Sequence, residues 1–93
     1  MKYHVYILES IEYGQYYIGQ TQDLDKRIEK HNKGYVKSTK GKRPWKVLFS
    51  VECDSRSESM ALEKKLKGFK SRKRIIKWIE DHSTDDEGVG SVF

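Results

Sequence analysis

Two aromatic, strand-forming runs, Tyr3–Leu8 and Tyr16–Thr21, flank a polar turn, and the second opens directly into a stretch with helical periodicity. An extended run that delivers straight into a helix leaves few ways to bury both, and this constrains the chain more than any other feature. In the first run the alternate sets Tyr3, Val5, Ile7 and His4, Tyr6, Leu8 are both apolar or aromatic. That pattern predicts a strand covered on one face and lining a site on the other. The segment Ser10–Gln15 holds Gly14, the glycine a hairpin needs, so Tyr16–Thr21 is expected to return antiparallel. Alternation sets Tyr17 and Gly19 on one face of that strand and Tyr16 and Ile18 on the other; Tyr17 shares a face with Tyr6 if the register allows it.

Thr21 and Asp23 are both candidate N-caps for a helix over residues 23–33 that ends at Gly34. Leu24 and Ile28, one turn apart, should face the sheet. Arg27 and His31 have the same spacing and form a second stripe beside them, over the edge of the core. The polar stretch Tyr35–Arg43, closed by Pro44, is expected to be an exposed loop, and Trp45–Cys53 a third strand. Ser55 with Glu58 three residues later is a capping-box pattern that opens a helix to Gly68, with Leu62, Leu66, Phe69 and Met60 inward. Ser71 caps a last helix to Asp81, with Ile75, Ile76 and Ile79 inward and Arg72, Lys73, Arg74 and Lys77 outward.

The order β-β-α-β-α-α predicts an α+β domain, a small three-stranded antiparallel sheet flanked by helices. A chain of 93 residues has room for one such domain, assigned here to residues 1–82. Residues 83–93, acidic and glycine-containing, are expected to be disordered.

The net charge of +5 is unevenly spread. Lys26 to Lys46 holds nine Lys and Arg residues against one acid, Glu29, and Lys64 to Lys77 holds eight and no acid. Two basic blocks framing a domain are the electrostatic footprint of a polyanion partner, set against the plainer reading as solvated helix faces. Cys53 is the only cysteine, which excludes an internal disulfide and a thiolate metal cluster. No apolar run approaches the ~20 residues of a membrane span and the start lacks a signal-peptide core, so a cytoplasmic protein with no membrane partner is expected.

Tyr17-Ile18-Gly19, Tyr6 eleven residues earlier, Arg27, His31 and Glu63 together resemble the GIY-YIG nuclease family over about Tyr3 to Trp78. The first half of the name is degenerate here, since His4-Val5-Tyr6 keeps only its tyrosine. The chain is most similar to small single-domain members related to the amino-terminal nuclease of bacterial excision-repair proteins and to homing-endonuclease catalytic domains. The resemblance implies the GIY-YIG fold and a Mg²⁺- or Mn²⁺-dependent endonuclease acting on structured DNA in repair or recombination, with RNA as the other polyanion to consider. It assigns Tyr17 and Tyr6 to activating water, Arg27 to clamping the phosphate, His31 to relaying a proton or contacting phosphate, and Glu63 to holding the ion. Phosphodiester hydrolysis needs these services: a water deprotonated, phosphoryl charge stabilised and a leaving oxygen held. One carboxylate suffices for Mg²⁺, which retains water and phosphate oxygens as its other ligands.

Each residue also has a structural explanation: core tyrosines, Arg27 paired with Asp23, a satisfied histidine, Glu63 paired with Lys67 at i+4. Glu58 competes with Glu63 as the acid, but its place at a helix start suits capping. The expected nucleic-acid contacts are Lys37, Lys40, Lys42, Arg43, Lys67, Lys70 and Arg72. Gln20 stands where some relatives carry a lysine, and Thr39, Lys40 or Lys42 where homing-type members place a further histidine. These departures motivate the alternative, a binding module on the same scaffold with little or no turnover. Members of the family usually rely on a second domain or a dimer for specificity; the sequence identifies neither a protein partner nor a homodimer here, and a lone domain is expected to show slight sequence preference and to recognise structural features of DNA.

Overall fold

The computed structural model describes residues 2–83 and bears out the element order. Strands β1 (Tyr3–Ser10) and β2 (Tyr16–Thr21) form the hairpin, α1 (Leu24–Lys33) follows, and a short 3₁₀ turn at Lys40–Lys42 precedes β3 (Trp45–Cys53). Helices α2 (Arg56–Phe69) and α3 (Arg72–Ser83) complete the chain. The antiparallel sheet has the order β2-β1-β3. Ser83 is the last residue of α3; the remainder of the proposed tail lies outside the described residues.

Because β1 is central, Val5, Tyr6, Ile7 and Leu8 are all fully buried, which explains why both of its alternate sets are apolar. Val5, Ile7 and Ile18 pack with Leu66 of α2 and Ile75 of α3 on one face. Tyr6 and Leu8 pack with Tyr17, Trp45 and the α1 residues Leu24 and Ile28 on the other. The register pairs Tyr6 with Gly19 and Leu8 with Tyr17, so the two tyrosines do share a face.

A bulge in β3 decides a second placement. Ile7 pairs with Phe49 but Leu8 with Val47, so Leu48 is the extra residue. Without that slip Lys46 would point to the tyrosine face; with it, Trp45, opposite Ser10, does.

Four expectations are corrected. Met60 is exposed, and Ser59, fully buried, takes the inward position next to the Leu62–Leu66 stripe. Ile76 is exposed because Ile75, Trp78 and Ile79 complete the inward stripe of α3. Helix α2 runs through Gly68 to bring Phe69 against the core, and Lys70 takes the left-handed capping conformation at φ 52°. The stretch 35–43 is not simply an exposed loop. Thr39 is fully buried, its carbonyl accepts from Trp45 Nε1 at 2.8 Å, and the Lys42 carbonyl accepts from Ser10 Oγ at 2.8 Å. Its polarity is spent on inward hydrogen bonds that anchor the stretch to the sheet. No helix among the described residues is long and apolar enough to cross a membrane.

Candidate active site

The α1 helix begins at Asp23, whose carboxylate accepts from Lys26 N, while Thr21 Oγ1 accepts from Asp23 N. Both cap candidates are therefore used, and the Asp23 side chain is capping the helix rather than pairing with Arg27. With Leu24 and Ile28 against the sheet, the neighbouring stripe carries Arg27 and His31 over the two tyrosines. His31 is fully buried rather than at the edge of the core.

Gly19 makes room for this cluster. A Cβ there would lie 2.6 Å from Tyr6 Oη and 3.1 Å from Tyr17 Cε2, so a side chain at this position would displace the Tyr6 phenol. Tyr6 Oη is 2.9 Å from His31 Nε2, and Arg27 Nε donates to the same oxygen at a long 3.4 Å. Tyr17 stands edge-on to the His31 ring, centroids 4.9 Å apart, and is half-buried. Its hydroxyl has the Arg27 side chain as a hydrogen-bond neighbour, and being half-exposed it keeps room to bind solvent or substrate.

One assignment of protons around His31 gives every donor in the network an acceptor. Thr39 Oγ1 donates to the Val36 carbonyl at 3.3 Å and so accepts from His31 Nδ1–H at 2.8 Å. Nε2 is then the bare nitrogen and accepts from the Tyr6 hydroxyl. Burial, followed by the Arg27 charge, lowers the His31 pKa to about 4, so the ring is neutral at pH 7. Burial also pushes the Tyr6 phenol above its ordinary range, outweighing the opposing pull of its Arg27 hydrogen bond. The Arg27 charge eases ionisation of the Tyr6 phenol but does not prevail over burial. The bond to Tyr6 raises the already high Arg27 pKa, so this guanidinium stays charged.

The His31 shift has a consequence for stability. Its folded pKa lies below the ordinary 6.5, so between pH 6.5 and 4 the unfolded chain binds more protons, and stability is lost on acidification through that window. At ~1.4 kcal/mol per pH unit, moving from pH 7 to pH 5 should cost about 2 kcal/mol from this group. Urea titrations at the two pH values should show that loss in the unchanged chain and a correspondingly smaller one in His31→Gln; equal losses would contradict the assignment.

Glu63 reaches the site from the opposite layer. It sits on α2 beside the edge strand, where Oε1 accepts from Gln20 Nε2 at 2.8 Å and Oε2 pairs with Lys67 at 2.8 Å. It bonds to none of Tyr6, Tyr17, Arg27 or His31, yet its charge acts on the Tyr6 phenol. Four of the five residues are therefore in one contact cluster, and the fifth is tied to the residue after Gly19. Glu58 caps α2: its N–H donates to Ser55 Oγ and its carboxylate accepts from Asp54 N.

Glu63 lines an open cleft of about 270 Å³ with Gln20, Met60, Lys64 and Lys67. No group of three or more His, Cys, Asp or Glu suited to a metal occurs among the described residues. A single carboxylate in an open cleft fits a hard cation that keeps most of its water and takes phosphate oxygens. A larger cleft of about 390 Å³, lined by Phe69, Lys73, Arg74, Lys77, Trp78 and Asp81, belongs to the α2–α3 layer on the other side of the sheet from the phenols.

The basic blocks approach one another at the β1–β2 hairpin. Lys42 lies 4.5 Å over the Tyr13 ring, while Arg72 lies 4.9 Å over Tyr16 and 3.5 Å from Glu9. Arg43 donates to the Lys40 carbonyl and packs on Gly34. Lys37, Lys40 and Lys70 are exposed and form no ion pair among the described residues. Ser59 and Thr39 were not singled out as site residues: one side chain is hidden within a helical stripe, the other within a polar stretch.

Comparison with known proteins finds relatives in sequence and in fold. Residues 2–75 match the family model described as the GIY-YIG catalytic domain. A UPF0213 protein from Staphylococcus saprophyticus is 35% identical over 75 residues, covering 80% of this chain and 90% of that one. Another from Halalkalibacterium halodurans is 37% identical over 75 residues, covering 80% and 79%. The solution NMR structure of the UPF0213 protein BH0048 from Bacillus halodurans superposes with a TM-score of 0.56 at 34% identity, covering 88% of this chain and 86% of that one.

Proposed function

Because the chain belongs to the GIY-YIG catalytic domain family, whose fold implies nuclease chemistry, we propose that it is a divalent-metal-dependent endonuclease that cuts structured DNA during repair or recombination. The observation that carries this is the packing of Tyr6, Tyr17, Arg27 and His31 around Gly19, with Glu63 bonded to the next residue of the same strand.

Tyr17 is the phenol that meets the attacking water, since it is half-exposed with only Arg27 at its hydroxyl, whereas Tyr6 is fully buried and already hydrogen-bonded to His31. Arg27 lies beside Tyr17, and its fork of donors suits the scissile phosphate. Tyr6, His31 and Thr39 form a buried chain in which each donor has an acceptor, and it holds Arg27 and Tyr17 in register. Glu63 would hold the cation, Mg²⁺ or Mn²⁺, which when bound supplies charge stabilisation at the phosphoryl and leaving oxygens. Exposed Lys37, Lys40 and Lys70, together with Lys42, Arg43, Lys67 and Arg72, would follow the backbone phosphates.

A DNA-binding protein without turnover is the second reading, favoured by the two bonds that already occupy Glu63. Incubating the purified chain with end-labelled flap, fork, nicked and RNA substrates in Mg²⁺, Mn²⁺ or EDTA separates the two. The first expects single-strand cuts in DNA that vanish in EDTA. Binding that falls steeply with salt, and no cut with either ion, selects the second.

A further inference from the structure

Glu63 is gripped from two sides, and the grips differ in kind. On Oε2 the partner is Lys67, an exposed ammonium one helical turn away, and such surface pairs exchange readily with water. On Oε1 the partner is the Gln20 amide, which is itself held: Ser59 Oγ, fully buried, lies 2.6 Å from Gln20 Oε1. Reversing the amide would set its oxygen against a carboxylate, so the acceptor-only Glu63 enforces one orientation, and Ser59 Oγ, which also reaches the Arg56 carbonyl at 2.8 Å, holds the other end of the amide in place. The bond also spans two layers. Gln20 follows Gly19 in β2, three residues from Tyr17, while Glu63 and Ser59 lie on α2.

We propose that Gln20 is the positioning residue for cation capture: its amide fixes one oxygen of Glu63 relative to the Tyr17 strand, and Lys67 is the resident cation that a divalent ion displaces from the other. This rests on the reading that Glu63 holds the ion. An anchored oxygen keeps the carboxylate rotamer when Lys67 leaves, so the free chain already has the liganded geometry. Orienting partners of this kind typically change metal affinity by 10–100-fold.

The test is calorimetric titration of Mn²⁺ into the full chain without DNA, compared with Gln20→Ala, Gln20→Met, Lys67→Met and Glu63→Gln. Gln20→Met keeps side-chain bulk and removes the donor, which separates loss of the bond from loss of packing. We expect both Gln20 variants to bind Mn²⁺ roughly 10–100-fold more weakly, Lys67→Met to bind it more tightly, and Glu63→Gln not to bind it. Unchanged affinity in Gln20→Met, with binding still abolished in Glu63→Gln, overturns the positioning role and leaves the metal assignment standing. Binding that survives Glu63→Gln, or no binding by the unchanged chain, overturns both.

Discussion

Tyr17→Phe should cut DNA about 10²–10⁴-fold more slowly than the unchanged chain while unfolding at the same urea concentration. The two halves of that result follow from one arrangement: the Tyr17 hydroxyl meets only the half-exposed Arg27 side chain, whereas its ring packs edge-on against His31 and Trp45. Phenylalanine keeps the ring and its contacts, so a structural tyrosine would lose nothing. A water-binding tyrosine loses its function. Tyr6→Phe is a poorer probe, because it leaves His31 Nε2 buried without a donor, at a cost of roughly 1–3 kcal/mol. A fall in its activity would mix misfolding with chemistry. Full-rate cleavage by Tyr17→Phe would remove the phenol from the reaction.

Glu63→Gln should show a similarly large loss of cleavage in Mg²⁺ while binding DNA in EDTA, where no cation is there to be lost, at least as tightly. Charge stabilisation by a bound cation supplies several kcal/mol at the transition state, and each 1.36 kcal/mol is tenfold in rate, so about 10²–10⁴ is at stake. Glutamine keeps the length of the side chain and removes its charge, and losing a negative charge cannot weaken attraction to phosphates. Single-turnover cleavage and gel-shift binding on one substrate measure the two quantities together. Undiminished cleavage with the same Mg²⁺ dependence would show that Glu63 holds no catalytic ion.

Element order was legible because it is local. Gly14 marks the hairpin, Asp23 and Ser55 cap their helices, and Gly34 ends α1 at φ 83°. Whether Tyr17 joins Tyr6 was not, because a one-residue slip sends every side chain to the other face, and register depends on pairing across the hairpin. Trp45 illustrates the same limit: its place on the tyrosine face depends on an extra residue at Leu48 that no local pattern announces. The burial of His31 and Thr39 depends on a polar stretch folding inward, where composition alone suggests exposure. Gln20 stood out only as a departure from relatives. Its hold on Glu63 runs between β2 and α2, from the strand before α1 to the helix after β3, and exists only once the layers are assembled.

In the proposed mechanism the phosphate is attacked on the α1 side of the sheet, beside Gly19. The most direct measurement is a crystal structure of the chain with a cleavage-resistant branched DNA and Mn²⁺. The scissile phosphate should lie between Arg27 and Tyr17, with the anomalous Mn²⁺ peak on Glu63. DNA seated instead across the Lys73–Trp78 cleft of α2 and α3, with no ion at Glu63, would contradict it.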